Sequence, residues 1–186
     1  MPRPLPIVFL PARVLRTPAR ELSIGEISSA ATRRLIAAMK QTLAGAPDGV
    51  GLAAPQIGAD FRIFLVSEEA RHIGETDGAA IGGERRRWDH IAFINPVLTK
   101  RSRRKSVMAE GCLSVPGRFG EVARAEKISL AWFDEHGKKH GRGFSGFFGR
   151  VIQHELDHLD GMLITDRARK LISLPAAARE GGVARE

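Results

Sequence analysis

The sequence predicts an α+β fold, in which antiparallel or mixed β-sheets pack around a central His-Glu-x-x-His helix and an N-terminal helix precedes the sheets. Three observations support this prediction. Apolar residues recur every four positions early in the chain, strand-like apolar segments follow in the middle, and a helical pattern with two histidines comes near the end. Separate helical and strand regions in this order are typical of α+β proteins.

The N-terminal helix is predicted to begin at Ser23. Ser23 and Glu26 form a capping-box pattern, and Gly45 follows the periodic stretch, as is common at a helix end. The apolar stripe between them consists of Ile27, Ala31, Leu35, Met39 and Leu43. Such a stripe predicts that this helix packs on a sheet.

Three strands are predicted at residues 61–66, 91–98 and 128–132, because apolar residues alternate or cluster there. The last strand should end before a turn at residues 135–137. Residues 68–90 are rich in glycine and charge, which predicts a surface loop to which the sequence assigns no role.

The segment His154-Glu155-Leu156-Asp157-His158 has two histidines four residues apart, with a glutamate directly after the first. On a helix these histidines share one face, so both rings can bind one metal ion while Glu155 handles protons on a bound water. The pattern therefore indicates metal-assisted hydrolysis. The alternative is two ordinary helical histidines, although a buried carboxylate without a partner would be costly.

The helix that carries this motif is expected to begin at Ser145 and to end at Gly161. At about 100° of turn per residue, Phe147 and Val151 share the arc of the two histidines, which should point inward. Asp157 falls on the opposite side, where a solvated position is expected unless a neighbouring segment reaches it.

Cys112 is the expected third metal ligand, because a catalytic site usually has three protein ligands and one open position. It is the single cysteine of the chain, so no disulfide can form within it. A small buried hydrophobic role and a cysteine nucleophile paired with a histidine base are the alternatives. The nucleophile would leave Glu155 and one histidine without a task.

The glycine-rich segment at residues 49–58 is the third candidate element. Its small residues would let another chain approach the backbone closely, and Gln56 offers an amide that can donate to a developing oxyanion. An ordinary loop with a surface glutamine is an equally good interpretation of this segment taken alone.

Residues 51–56 (Gly-Leu-Ala-Ala-Pro-Gln), 110–114 (Glu-Gly-Cys-Leu-Ser) and 153–158 (Gln-His-Glu-Leu-Asp-His) together resemble the three signature motifs of the peptide deformylases. They occur in that family's order and at similar intervals, and the resemblance extends from about Val14 to Asp166. It implies a metal-dependent hydrolase that removes the formyl group from the N-formylmethionine of nascent polypeptides and releases formate.

The resemblance also implies a role for particular residues. Glu155 would be the general base and then the general acid, and the oxyanion would be held by the Gln56 amide and the Leu113 backbone N–H. The implied metal ligands are Cys112, His154 and His158, with water in the fourth position. The family favours one Fe²⁺ per chain, and Zn²⁺ or Ni²⁺ can replace it, since thiolate and imidazole suit all three.

Substrate contacts are expected around these residues. Gly51 suits a tight wall that excludes acyl groups larger than formyl, and the peptide beyond the methionine should lie along residues 49–51 as an added strand. An acidic residue should accept the second N–H of a ligating histidine. The predicted substrate-binding residues are Val50, Gly51, Met108, Glu110, Gly111, Phe147 and Val151.

Composition fits one catalytic domain, predicted at residues 1–174, followed by a flexible tail at 175–186. No apolar stretch is long enough to cross a membrane, and the proline-rich start argues against a signal peptide. The lone cysteine agrees with a reducing cytoplasm, where we expect a monomer.

Charge gives one further expectation. The chain has 29 basic and 21 acidic residues, and five positive charges lie within residues 100–105. A solvated surface segment is the ordinary interpretation. The deformylase resemblance adds a second one, a transient and salt-sensitive contact with ribosomal RNA near the emerging nascent chain.

Two other functions compete with deformylation. Zinc endopeptidases also carry the His-Glu-x-x-His pattern, but their third ligand is usually a histidine or a carboxylate, which Cys112 does not match. A basic binding module with a structural metal site is the other, and such a site would normally have four protein ligands rather than three.

Overall fold

The computed structural model describes residues 2–73 and 88–173. Its helices are α1 (Ile24–Ile27), α2 (Ala30–Ala44), α3 (Gly146–Leu159) and α4 (Ile164–Arg167), with short 3₁₀ helices at Arg13–Arg16, Ala54–Ile57 and Glu68–Arg71. Its strands are β1 (Gly51–Ala53), β2 (Ile63–Ser67), β3 (His90–Arg101), β4 (Lys105–Gly111), β5 (Arg118–Ala125), β6 (Lys127–Phe133), β7 (Lys139–Ser145) and β8 (Leu171–Ser173). The predicted α+β class is confirmed.

Within the described residues, a five-stranded antiparallel sheet runs in the order β1-β2-β3-β6-β7. Both of its faces are covered, as strand β2 shows. Ile63 and Leu65 join the core that contains α2, whereas Phe64 and Val66 join the core that contains α3. Because side chains alternate along a strand, β2 reads as a continuous apolar run and all five of its residues are buried.

Helix α3 lies between this sheet and a second, three-stranded sheet of order β4-β5-β8. One side of α3 packs Ile152 into the large core. The opposite side faces β4 and β5, where Arg150 bonds the Val122 carbonyl and Asp157 meets Arg124. The helix is therefore buried on both sides. Neighbouring segments do reach Asp157, which is the condition under which a solvated position was not expected, and its side chain is only 7% exposed.

The predicted N-terminal helix is divided in two. The capping box of Ser23 and Glu26 is present at α1 as expected. However, Ser29 accepts a hydrogen bond from the Thr32 N–H and so begins a new helix, α2, which ends directly before Gly45. Helix α3 begins after Ser145, which makes no side-chain capping bond, and ends at Leu159, two residues before Gly161.

The three predicted strands correspond to β2, β3 and β6, and Gly137 sits with positive φ in the turn before β7. In the predicted surface loop at 68–90, the described part contains the 3₁₀ helix Glu68–Arg71, while 74–87 fall outside the described residues. The tail predicted at 175–186 also falls outside them. Throughout 2–73 and 88–173, no helix is long and apolar enough to span a bilayer.

Candidate metal centre and active site

Three ligand atoms converge between α3 and the residue that follows β4. The Sγ of Cys112 lies 3.3 Å from Nε2 of His158, and the Nε2 atoms of His158 and His154 are 3.2 Å apart. Strand β4 ends at Gly111 and delivers Cys112, while the helical spacing of four residues brings both rings to one face of α3.

These separations fit a divalent metal. Bond lengths typical of zinc place two tetrahedral nitrogens about 3.3 Å apart, and a nitrogen and a sulfur about 3.6 Å apart. In the described part of the chain, the group that could hold an ion comprises Cys112, His154 and His158. Three protein ligands leave one position open in a four-coordinate site, which is the arrangement of a catalytic rather than a structural centre.

Glu110 fixes the orientation of one candidate ligand, His154. Its Oε2 lies 3.0 Å from Nδ1 of His154, so Nδ1 carries the hydrogen and Nε2 is left to bind metal. Burial alone would raise the pKa of Glu110, but hydrogen bonds from His154 and Arg124 outweigh it and lower the pKa to about 2. The carboxyl therefore stays ionised, as this contact needs.

A buried ionic cluster surrounds Glu110 on the side of α3 that packs against β4 and β5. Arg124 binds both oxygens of Glu110, at 2.8 and 3.0 Å, and also reaches Asp157 at 2.5 Å. Arg150 donates a further hydrogen bond to Glu110 at 2.7 Å, and Arg167 donates one to Asp157 at 2.8 Å. Sequence reasoning missed these three arginines. Arg124 lies two residues after Val122 on β5, so both side chains face the same buried side of the strand. This spacing was the one hint in the sequence that Arg124 points inward.

Glu155 is only 3% exposed, and its Oε2 has no hydrogen-bond partner among the described residues. Burial raises the pKa of this carboxyl to about 7. A carboxyl that exchanges a proton near neutral pH and lies beside the metal ligands has the properties of a general acid and base.

Gln56 directs its amide into the same site. Its Oε1 accepts the Ala53 N–H at 2.8 Å, which assigns the oxygen and turns Nε2 towards Cys112, whose Sγ is 3.7 Å away. Gln56 is 1% exposed at the end of the 3₁₀ helix that follows β1, so the alternative of a surface glutamine is wrong. A buried donor held in this way can stabilise negative charge that develops beside it.

Comparison with known proteins identifies the family. The protein-family model described as polypeptide deformylase matches residues 4–173 of this chain. This chain belongs to the polypeptide deformylase family. The resemblance found in the three motifs is thereby confirmed, and so is the predicted class of enzyme, a metal-dependent hydrolase that removes the N-formyl group of nascent polypeptides.

Curated deformylases align over most of the chain. Peptide deformylase 1A of Arabidopsis thaliana, chloroplastic/mitochondrial, is 41% identical over 83% of this chain, and the match covers 57% of that protein. Peptide deformylase 3 of Streptomyces avermitilis is 40% identical over 94% of this chain and 77% of its own length. A Met-Ala-Ser-bound class I type b deformylase from Acinetobacter baumannii superposes with a TM-score of 0.77 at 30% identity, covering 90% of this chain and 99% of that one.

The cavity of this deformylase has a volume of 590 Å³, and its lining includes the candidate metal ligands Cys112 and His154. Six of the seven predicted substrate-binding residues line it, namely Val50, Gly51, Glu110, Gly111, Phe147 and Val151. Met108 does not. It lies on β4, is 44% exposed and lines a neighbouring cavity instead.

Gly51 of the deformylase approaches α3 more closely than any other residue type could. A methyl group added at its Cα would lie 2.8 Å from Cδ of Glu155 and 2.8 Å from Cγ1 of Val151. Real Cβ contacts are longer than this. The glycine therefore lets strand β1 lie directly against the candidate general base.

Proposed function

We propose that this chain deformylates N-formylmethionyl peptides with Cys112, His154 and His158 as metal ligands and Glu155 as the proton-transfer residue. The observation that supports this most strongly is the convergence of the three candidate ligand atoms beside a carboxyl oxygen that has no partner in the described structure. Nε2 of His158 lies 3.3 Å from Sγ of Cys112 and 3.2 Å from Nε2 of His154. A divalent metal bound there would lower the pKa of a water and polarise the formyl oxygen.

Glu155 then handles the protons. It removes one proton as water attacks the formyl carbon, and it delivers that proton to the departing peptide amine. Its burial keeps bulk water from competing for the transfer, and its pKa of about 7 suits both halves of this role.

Gln56 and Leu113 stabilise the formyl oxygen as it gains negative charge. The Gln56 amide is fixed by Ala53, so little reorganisation is needed when the charge develops. Leu113 follows the candidate ligand Cys112 in the chain and lines the cavity, which supports a role for its backbone N–H as the second donor.

Gly51 and the cavity residues select the substrate. Strand β1 ends its sheet and offers a free edge within the described residues, along which residues beyond the methionine would add as a strand. The close approach of Gly51 to Glu155 supports a tight wall here, which would admit a formyl group and exclude a larger acyl group. The methionine side chain enters the cavity past Val151 and towards Phe147.

We further propose Fe²⁺ as the metal in the cell, with Zn²⁺ or Ni²⁺ as replacements in isolated protein. One thiolate and two imidazoles suit each of these ions. A ferrous site with the partly exposed Cys112 as ligand should lose activity in air through thiolate oxidation.

The cellular setting is proposed as a cytoplasmic monomer, with residues 1–174 as one catalytic domain, that meets the ribosome through the basic segment at 100–105. This segment links β3 of one sheet to β4 of the other, and its five charged side chains are exposed. Neutralising Lys100, Arg101, Arg103, Arg104 and Lys105 should abolish salt-sensitive binding to ribosomes, whereas neutralising the exposed pair Lys138 and Lys139 should not. Equal binding by both variants would exclude this surface.

The activity is tested by formate release from formyl-Met-Ala-Ser with anaerobically prepared protein. We expect release that a chelator stops and that added Fe²⁺ restores. An unformylated peptide should remain intact, because Cys112 and the crowded Gly51 do not suit an endopeptidase. Cleavage of internal peptide bonds, or no release with Fe²⁺, Ni²⁺ and Zn²⁺ each supplied, would contradict the proposal.

A further inference from the structure

The two groups that we assign to the formyl oxygen lie on segments from different parts of the fold. Gln56 belongs to the 3₁₀ helix that follows β1 of the five-stranded sheet, whereas Leu113 follows β4 of the three-stranded sheet. Within the described residues, no backbone hydrogen bond joins residues 51–58 directly to residues 110–118. A backbone link between the two donors therefore has to run through a third segment.

Residues 5–10, which we call the N-terminal segment, make this link. The Val8 N–H donates to the backbone carbonyl of Gln56 at 2.8 Å, and the Leu10 N–H donates to the carbonyl of Ser114 at 3.3 Å. Two N–H groups that lie two residues apart in the chain thus bind the two sides of the candidate oxyanion site.

The Leu10 contact reaches the turn that contains Leu113. Ser114 directly follows Leu113, and both lie within a turn that the Val115 N–H closes on the Cys112 carbonyl at 2.9 Å. Holding the Ser114 carbonyl therefore also restrains the backbone that carries the Leu113 N–H.

The N-terminal segment is itself held along its length. The Leu5 N–H donates to Oγ1 of Thr42 on α2 at 2.7 Å, and the same hydroxyl lies 3.1 Å from the Leu5 carbonyl, to which it can donate. The side chains of Val8 and Leu10 pack against a buried hydrophobic cluster. Phe9 between them is 52% exposed, as expected where side chains alternate along an extended chain.

These contacts complete the restraint on Gln56. Its side-chain oxygen accepts the Ala53 N–H, and its backbone carbonyl accepts the Val8 N–H. A donor stabilises developing charge best when it is already in place before the reaction, and a displacement of about 1 Å can cost about 10² in rate. Without the Val8 bond, the side-chain contact would remain while the backbone beneath it could shift.

We propose that the N-terminal segment is a positioning element for deformylation, which holds the Gln56 amide in place relative to the Leu113 N–H through the hydrogen bonds of Val8 and Leu10. This inference rests on the proposed function, in which those two groups stabilise the formyl oxygen. Neither Val8 nor Leu10 lines the 590 Å³ cavity. Their loss should therefore lower kcat and leave KM nearly unchanged.

Val8→Pro removes the N–H that binds Gln56. With formyl-Met-Ala-Ser and metal-replete protein, kcat should fall about tenfold or more while KM changes by less than about twofold. Phe9→Pro is the matched control, because Phe9 is exposed and its N–H donates no hydrogen bond within the described residues. It should keep near-normal kcat, and an equal loss in both variants would overturn the inference.

A double-mutant comparison separates positioning from a general loosening of the fold. In a Gln56→Ala background, Val8→Pro should lower kcat by less than about threefold, because the donor that it displaces is already gone. Bound metal and the unfolding midpoint are measured in all four proteins. A loss as large in Gln56→Ala as in the wild-type background, or an unchanged kcat in Val8→Pro, would overturn the inference.

If Val8→Pro does not fold, Val8→Gly takes its place. This change keeps the N–H but removes the side chain that packs the N-terminal segment against the cluster, so kcat should fall by a smaller factor, about threefold, and again only when Gln56 is present. An unchanged kcat in Val8→Gly would then overturn the inference. Failure of wild type to release formate would instead contradict the proposed function, and an unchanged kcat in Gln56→Ala would contradict the role of Gln56 on which the inference depends.

Discussion

The two sides of helix α3 differ in whether their buried polar groups have hydrogen-bond partners. On the side of the metal ligands, Oε2 of Glu155 and Nδ1 of His158 are buried without partners in the described residues. On the other side, Asp157 is held by Arg124 and Arg167, and each of its oxygens is bonded. Buried polar groups normally have hydrogen-bond partners, so the unpartnered groups mark the side of α3 that we assign to the reaction. The fully paired groups mark the side that holds the helix in place.

The ionic side also reaches the reactive side through Glu110. This carboxylate accepts hydrogen bonds from Arg124 and Arg150 and also from Nδ1 of His154. The comparison predicts that substitutions on the reactive side change catalysis with little effect on folding, and that substitutions on the ionic side do the reverse.

Glu155→Gln should have the largest effect on rate. We expect formate release to fall about 10²–10⁴-fold, because the amide cannot transfer the proton, while metal content and the unfolding midpoint are retained. Glu121→Gln, at an exposed carboxylate of β5, is the control and should keep full activity. Near-normal turnover by Glu155→Gln would contradict the claim that the side of α3 with unpartnered polar groups carries the catalysis.

Arg124→Met should have the largest effect on stability. It leaves Glu110 and Asp157 buried with fewer partners, and breaking such a pair costs about 3–5 kcal/mol of unfolding free energy. The matched change Arg167→Met removes a side chain that is 45% exposed and should cost about 1 kcal/mol or less in denaturant titrations. Equal losses in the two variants would show that burial does not distinguish these arginines.

Gln56→Ala should lower kcat about 10²–10³-fold, the usual effect of losing one oxyanion donor. Steady-state kinetics on metal-replete protein would separate this from a binding effect. A rise in KM with kcat unchanged would assign Gln56 to substrate binding instead.

Gly51→Ala should have a smaller effect on folding, about 1–3 kcal/mol of unfolding free energy, because the added methyl group overlaps Glu155 and Val151. It should also reduce activity, since the displaced carboxyl is the proposed base. Gly141→Ala is the control, because nothing lies within 4 Å of a methyl group added there. If both variants melt and turn over alike, the close approach of β1 to α3 has no consequence.

The sequence was sufficient for the reactive side of α3 and insufficient for the ionic side. The spacing of His154 and His158 is local information, which helical geometry converts directly into a shared face. The partners of Asp157 come from β5 and α4, and strand β5 contains too many small and charged residues to be recognised as buried. The sequence also could not show that Met108 lines the neighbouring cavity rather than the one at the candidate metal ligands, because its position on β4 carries no information on the shape of either cavity.

X-ray absorption at the metal edge of iron-reconstituted protein tests the central claim most directly, namely that α3 and Cys112 form an open three-ligand site. We predict one sulfur and two imidazole nitrogens, with the remaining position filled by oxygen from solvent, and loss of the sulfur shell in Cys112→Ser. A spectrum without sulfur, or with four protein ligands, would contradict the claim that this face of α3 is built for catalysis.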